Sequence, residues 1–264
     1  MDLIQILILA IIQGITEWLP VSSSGHLAIA QEYFGIESKS ALTFDIATHV
    51  GTIFVVLIIF RKDVIHILKA FFRMDFESVE GKHALFIIVG SIPTAIIGFL
   101  LLYYNIIETV LSNTLIVGLA LVVTGSYLYV SRHAKDGREL NHVDSLLIGI
   151  AQGIATIPGL SRSGLTISTG LLRKVKRENA FKYSFLLSIP AVFSAMVAAI
   201  VKEQASLTIG NVDFGLTVLG VMTSFVVGYM SLKLLQKIFI KQKFHLFAYY
   251  CWIAGLITII FSIF

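Results

Sequence analysis

Gln13 and Glu17 stand four residues apart in the apolar run MDLIQILILAIIQGITEW. On a helix this spacing puts both side chains on one face, about 40° apart, where they can share a ligand. A carboxylate and an amide oxygen suit a hard cation such as Mg²⁺ or Ca²⁺, with phosphate oxygens and water completing its shell. The alternative is a polar pair that hydrogen-bonds a neighbouring element. Directly afterwards comes Ser22-Ser23-Ser24-Gly25-His26. Hydroxyls, a flexible glycine and an imidazole gather there at the expected start of a second short helix. Unpaired N–H groups at such a start bind phosphate, and serines there either cap or bind. Ser22, Ser24 and Gly25 are therefore candidate anion contacts, with capping as the equal reading for the two serines. His26 is a candidate acid, base or nucleophile near neutral pH.

The second charged element lies in GIAQGIATIPGLSRSGLTIS, residues 149 to 168, where Arg162 sits in apolar sequence flanked by glycine, proline and serine. Its guanidinium presents a fork that matches two phosphate oxygens. Ser161, Ser163, Gly164 and Thr166 surround it as candidate contacts of the same anion. The competing reading is an ion pair with Glu17 or Asp45 that locks two parts of the chain together. Asp45 and His49 repeat the four-residue spacing, either as a layer behind the site or as a water-exposed helix end. His66, His83, His133, His142 and His245 fall in or beside basic loops and receive no role.

Those residues must be positioned by elements that live in a bilayer. Of the 264 residues, 56% are apolar and 14% charged, against about a quarter charged in soluble domains. The chain reads as one integral membrane domain without a soluble module or linker. Its first residues have no basic stretch and run straight into the first polar motif, which argues against a cleaved signal peptide. Cys251 is the single cysteine, so neither an internal disulfide nor a cysteine-rich metal site is available, and packing is its expected role. No dinucleotide or Walker phosphate loop appears.

A shift of 139 residues lays Gln13, Gly14, Ile15, Ser22, Ser24 and Gly25 on Gln152, Gly153, Ile154, Ser161, Ser163 and Gly164 without a gap. Each copy is a short apolar helix, a break and a second short helix, which is a re-entrant hairpin. Irregular backbone at membrane depth is tolerated where protein buries it or water reaches it, so the breaks should line a cavity. Six further stretches are long enough to span: about 42–60, 84–104, 114–131, 183–201, 214–232 and 245–264. If the first hairpin opens outside and the second inside, the inner loops 61–83, 132–144, 173–182 and 233–243 hold 5, 3, 5 and 4 Lys plus Arg, 17 of the chain's 20. That bias follows the positive-inside rule and puts both termini outside. It also forces the two halves, about 1–131 and 145–264, into opposite orientations, an inverted-topology repeat with one site between the copies. Phe44 against Phe181, and Pro93 with Gly98 against Thr223 with Gly228, are weaker echoes. The fold class expected is thus an all-α polytopic membrane protein with about six transmembrane helices and two re-entrant hairpins.

QGITE followed by PVSSSGH, and later PGLSRSGLT, resemble the two signature regions of bacterial undecaprenyl-diphosphate phosphatases, the bacitracin-resistance phosphatases. TFDIATHVG and YSFLLSIPA extend the resemblance over essentially the whole chain. It implies hydrolysis of undecaprenyl diphosphate to undecaprenyl phosphate and inorganic phosphate, helped by a divalent cation, on the outer face of the bacterial cytoplasmic membrane. The family's acidic motif falls on Gln13 and Glu17, implying metal ligands there and a catalytic Glu17. Its serine and histidine fall on Ser23 and His26, and its Ser-Arg motif with trailing threonine falls on Ser161, Arg162 and Thr166. Gln13 departs from the acidic form of the motif and removes a charge. The nucleophile stays open between His26, Ser23 and water. The implied partners are the prenyl diphosphate and the bilayer, with no nucleic acid; oligomeric state stays open, a homodimer included. Two other classes share parts of the pattern. An inverted-repeat transporter also brings half-helices together around an anion, and Ser24-Gly25-His26 echoes the type-2 phosphatidic acid phosphatases, whose other motifs are missing.

Overall fold

The computed structural model describes residues 1–36, 38–134, 137–204 and 214–263, without the side chains of 38–43 and 199–204. Lys135 lies outside the described residues, as do the side chains of Lys39 and Lys202. Every regular element among them is a helix, apart from one isolated bridge between Arg138 and Val175. The first half contains α1 (Leu3–Trp18), α2 (Ser23–Tyr33), α3 (Ser38–Ile59), α4 (Arg61–Phe72), α5 (Val79–Tyr103), α6 (Ile106–Leu111) and α7 (Thr114–Ser131). The second contains α8 (His142–Ile154), α9 (Arg162–Leu172), α10 (Arg177–Gln204), α11 (Phe214–Ile240) and α12 (Phe247–Ile263).

Local chemistry sets the hairpin boundaries. Asp2 and Gln5 form a capping box that starts α1, and Asn141 and Asp144 form one that starts α8. Ser22 and Ser161 are the N-caps of α2 and α9, each hydroxyl accepting from the glycine N–H three residues on. Among the described residues, five helices are long and apolar enough to cross a membrane: Val79–Tyr103, Thr114–Ser131, Arg177–Ala198, Phe214–Ile240 and Phe244–Ile263. The span expected at 42–60 falls on α3, whose described apolar part, Phe44–Ile59, is shorter than those five. The inner segment 61–83, expected as loop, instead holds α4, with Ile65, Leu68, Phe71 and Phe72 exposed on an otherwise basic helix. That composition suits a helix lying in a membrane interface.

The halves exchange their hairpins. α1 packs on α11 of the second half, and α8 packs on α5 of the first. Both contacts are parallel: Ile6 lies near Gly220 and Gly14 near Val227, just as Gly149 lies near Gly90 and Gly153 near Ile97. α7 and α12, the last helices of the two halves, pack antiparallel, Gly118 meeting Gly255 and Gly125 meeting Ala248. Opposed directions of this kind are what an inverted repeat requires. The packing also corrects one echo. Phe44 fills the space beside Gly220 and Tyr183 fills that beside Gly90, so the partner of Phe44 is Tyr183 at the same 139-residue shift, not Phe181. An aromatic at either position reads alike in sequence, and only the contact chooses.

On the face of the expected inner loops, buried Asp144 accepts from Arg138 and Arg173, tying the start of α8 to the end of α9. Nearby, the Lys176 ammonium beside Glu139 holds that carboxyl below its usual range. These contacts seat the second hairpin from its base.

Helix approach here depends on missing side chains. A Cβ on Gly149 would stand 2.1 Å from the carbonyl oxygen of Gly90, whereas Gly98 on the same α5 has nothing within 4 Å. Gly149→Ala should therefore lower the thermal unfolding midpoint of the detergent-purified protein, by an overpacking cost of about 1–3 kcal/mol. Gly98→Ala should leave it level or raise it, through a helix-propensity gain of about 1 kcal/mol.

Candidate active site

The two hairpin breaks touch. Gly25 lies against Gly159, and Gly164 lies against Pro20, which is the same contact made twice at the 139-residue shift. Ser22 Oγ accepts from the Gly159 N–H at 3.1 Å, and Ser163 Oγ donates to the Leu19 carbonyl at 3.3 Å. Backbone carbonyls of both breaks are met by the last helix of each half. Thr124 on α7 donates to Gly159 O at 3.2 Å, and Cys251 on α12 points its thiol at Pro20 O, 3.4 Å away. The cysteine thus does more than fill space, since a carbonyl left bare at membrane depth is costly. Gly159 adopts φ +90° and Ser22 φ +69°, so the chain reverses in conformations that glycine accepts easily and serine does not.

Glu17, in the last turn of α1, is the centre of the polar cluster. Its Oε1 accepts from Arg162 Nη2. Its Oε2 accepts from Ser23 Oγ at 2.6 Å and from Gln13 Nε2 at 3.0 Å, and lies 3.4 Å from His49 Nε2. Ser23 and Arg162 each open a hairpin helix, α2 and α9, and they correspond at the 139-residue shift. The first residues of two opposed helices therefore hold one carboxylate between them. The Glu17 side chain is 1% exposed, Arg162 23% and His49 27%. The acid is buried, while Arg162 and His49 are each partly exposed.

The other sequence-derived residues divide clearly. Ser22 and Ser161 act as caps. Ser24 Oγ lies 3.4 Å from Ser22 Oγ, and Ser163 Oγ is the same distance from Ser161 Oγ. Gly25 and Gly164 are points of close backbone approach. Thr166 turns away from the cluster, donating to Arg162 O at 2.7 Å and pairing with Ser184 on α10. His26 is not hydrogen-bonded to Glu17. Its Nδ1 is 2.8 Å from Ser22 O and its Nε2 is 2.7 Å from the Tyr250 hydroxyl.

Two participants emerge from the packing. The Asp45–His49 spacing was visible, yet only the fold shows His49 reaching Glu17 while Asp45 accepts from Gln31 at 2.8 Å. Tyr250 carried no signal within its apolar run. As for a metal, no cluster of three or more His, Cys, Asp and Glu forms among the described residues. The fit to a cation rests instead on Gln13, whose Oε1 is buried without a partner beside Glu17. One free amide oxygen and one carboxylate suit a cation that takes its remaining ligands from phosphate.

Comparison with known proteins shows the family. The family described as bacitracin resistance protein BacA matches residues 6–257. An undecaprenyl-diphosphatase of Desulforapulum autotrophicum is 42% identical over 98% of both chains. Those of Methanosphaera stadtmanae and Korarchaeum cryptofilum are each 40% identical, covering 100% and 97% of this chain and 99% and 98% of their own. With the family matched over nearly its whole length and relatives aligned end to end, the chain belongs to the bacitracin resistance protein BacA family.

Proposed function

We propose that this protein is an undecaprenyl-diphosphate phosphatase that releases inorganic phosphate and returns undecaprenyl phosphate to envelope synthesis. The observation that carries the reading is Glu17 held between Arg162 and Ser23 at the meeting of two helix N-termini. The names of the full-length relatives support it.

Each group has a task that follows from its position. Arg162 bonds Glu17 through Nη2, which leaves the rest of its fork for phosphate oxygens. The first-turn N–H groups of Ser23 and Ser24, and of Arg162 and Ser163, have no carbonyl one turn back and can receive the same oxygens. Charge that builds as the terminal P–O bond breaks is met by these preorganised donors. Ser23 is the favoured nucleophile because its hydroxyl already donates to a carboxylate, whereas both His26 nitrogens are engaged. In that step Oγ bonds to the terminal phosphorus, its proton passes to Glu17, and the prenyl phosphate leaves. Water then releases phosphate from the serine. Glu17 and the Gln13 Oε1 are the atoms that would hold a divalent cation, Mg²⁺ or Ca²⁺, whose chemistry is to neutralise charge on the diphosphate.

The prenyl tail lies among the helices in lipid in this reading, so apolar contact supplies affinity and the diphosphate supplies specificity. The proposed setting is the cytoplasmic membrane with the site open to the outer face, in keeping with the loop charges, and association as a homodimer remains compatible with it. Reaction of a membrane-impermeant thiol reagent with a cysteine at Asn113, but not with one at Lys69, would support that orientation.

The test is phosphate release from undecaprenyl diphosphate by detergent-purified protein. Wild type should release phosphate with Mg²⁺ or Ca²⁺ and lose most activity with a chelator. Arg162→Ala should fall by about 10²-fold or more, the scale of losing a preorganised charge donor. In the same assay Ser23→Ala should fall at least as far as His26→Ala. Full activity in Ser23→Ala would remove that residue as nucleophile, and no release by folded wild type would favour a transporter.

A further inference from the structure

Tyr250 lies on α12, outside the motifs, and its hydroxyl is 2.7 Å from His26 Nε2. The two rings lie nearly parallel, 13° apart with centroids 5.7 Å from each other. The opposite nitrogen, Nδ1, is 2.8 Å from the Ser22 carbonyl. A carbonyl oxygen can only accept, so Nδ1 carries a proton, and in the neutral ring Nε2 is then the acceptor. The Tyr250 O–H fills that role, and when His26 is protonated the same oxygen can accept instead. A single tyrosine hydroxyl can therefore hold the imidazole in one orientation in both of its charge states.

The register of α12 around Tyr250 is pinned on every side. Ala248 is fully buried where α12 crosses Gly125, Cys251 points its thiol at Pro20 O, and Trp252 donates to Ser126 Oγ at 3.2 Å. Tyr250 itself is 48% exposed, so packing alone does not account for where its ring sits. At membrane depth its hydroxyl needs a polar partner, and His26 supplies one.

We infer that Tyr250 is a positioning residue of the reaction, holding His26 and, through its Nδ1 bond to the Ser22 carbonyl, the start of α2 in the orientation that presents Ser23 to Glu17. This deepens the phosphatase reading and rests on it. Tyr250 acts through His26 and need not touch substrate.

The test is Tyr250→Phe, which keeps the ring and removes the hydroxyl. Two readouts are taken on the full-length protein in detergent. With undecaprenyl diphosphate as substrate, kcat should fall about tenfold, less than the roughly 10²–10⁴-fold contributed by a group that transfers the proton itself, with KM unchanged. In protein labelled with ¹⁵N histidine, the Nε2 resonance of His26, assigned by its loss in His26→Ala, should shift in Tyr250→Phe while Nδ1 keeps its protonated signature. If the ring merely packs against lipid and α2, phenylalanine does the same work; an unchanged kcat or an unmoved Nε2 resonance would overturn the inference. If wild type shows no phosphatase activity the functional reading fails, and the ¹⁵N shift still tests the Tyr250–His26 bond by itself.

Discussion

A carboxylate buried at membrane depth is costly unless it is paired and its lone pairs are met, and the rest of this fold is arranged to meet those of Glu17. Arg162, Ser23 and Gln13 all donate to it, and His49 stands 3.4 Å away. Removing one partner of such a buried pair costs about 3–5 kcal/mol. The positively charged partner comes from the second half of the chain, 145 residues on. For it to arrive, α8 must pack on α5 and α9 must begin at the break facing Pro20. The glycines at the helix crossings and the caps at Ser22 and Ser161 are means to that contact.

The repeat is symmetric in backbone and asymmetric in chemistry. At the 139-residue shift Glu17 becomes Thr156, His26 becomes Leu165, Asp45 becomes Ser184 and His49 becomes Ser188. Gln152, the counterpart of Gln13, donates weakly to Leu187 O and Thr94 at 3.3 and 3.4 Å instead of serving a carboxylate. The second half retains the shape of the site without its acid, and contributes Arg162 where the first half has Ser23. Two opposed helix starts thus bring one serine and one arginine to the Glu17 carboxylate, an arrangement that a single hairpin does not offer.

Much of this was legible before any coordinates. The hairpins, their duplication and their opposite orientation follow from spacing, breaks and loop charges, because a bilayer restricts which polar patterns are tolerated. Gln13, Glu17 and Arg162 were legible for the same reason, whereas Ser23 was picked out only by the family resemblance. What sequence could not supply were contacts between elements far apart along the chain. His49 reaches Glu17 only through the packing of α3. Tyr250 meets His26 across 224 residues, and nothing in an apolar run marks one tyrosine from its neighbour. Thr166 pointed the other way for a similar reason: its motif position is one turn past Arg162, and its face of α9 packs on Ser184.

On the proposed function the Glu17–Arg162 pair serves chemistry, and does not merely latch the halves together. Buried ion pairs can often be exchanged for apolar residues of similar volume without loss of stability. The most direct measurement is therefore the double substitution Glu17→Met with Arg162→Met, read by thermal unfolding and by phosphate release from undecaprenyl diphosphate. A protein that unfolds near the wild-type temperature and releases no phosphate is the predicted result. A double variant that still turns over substrate would show the pair to be a latch, and the active site would have to be sought elsewhere.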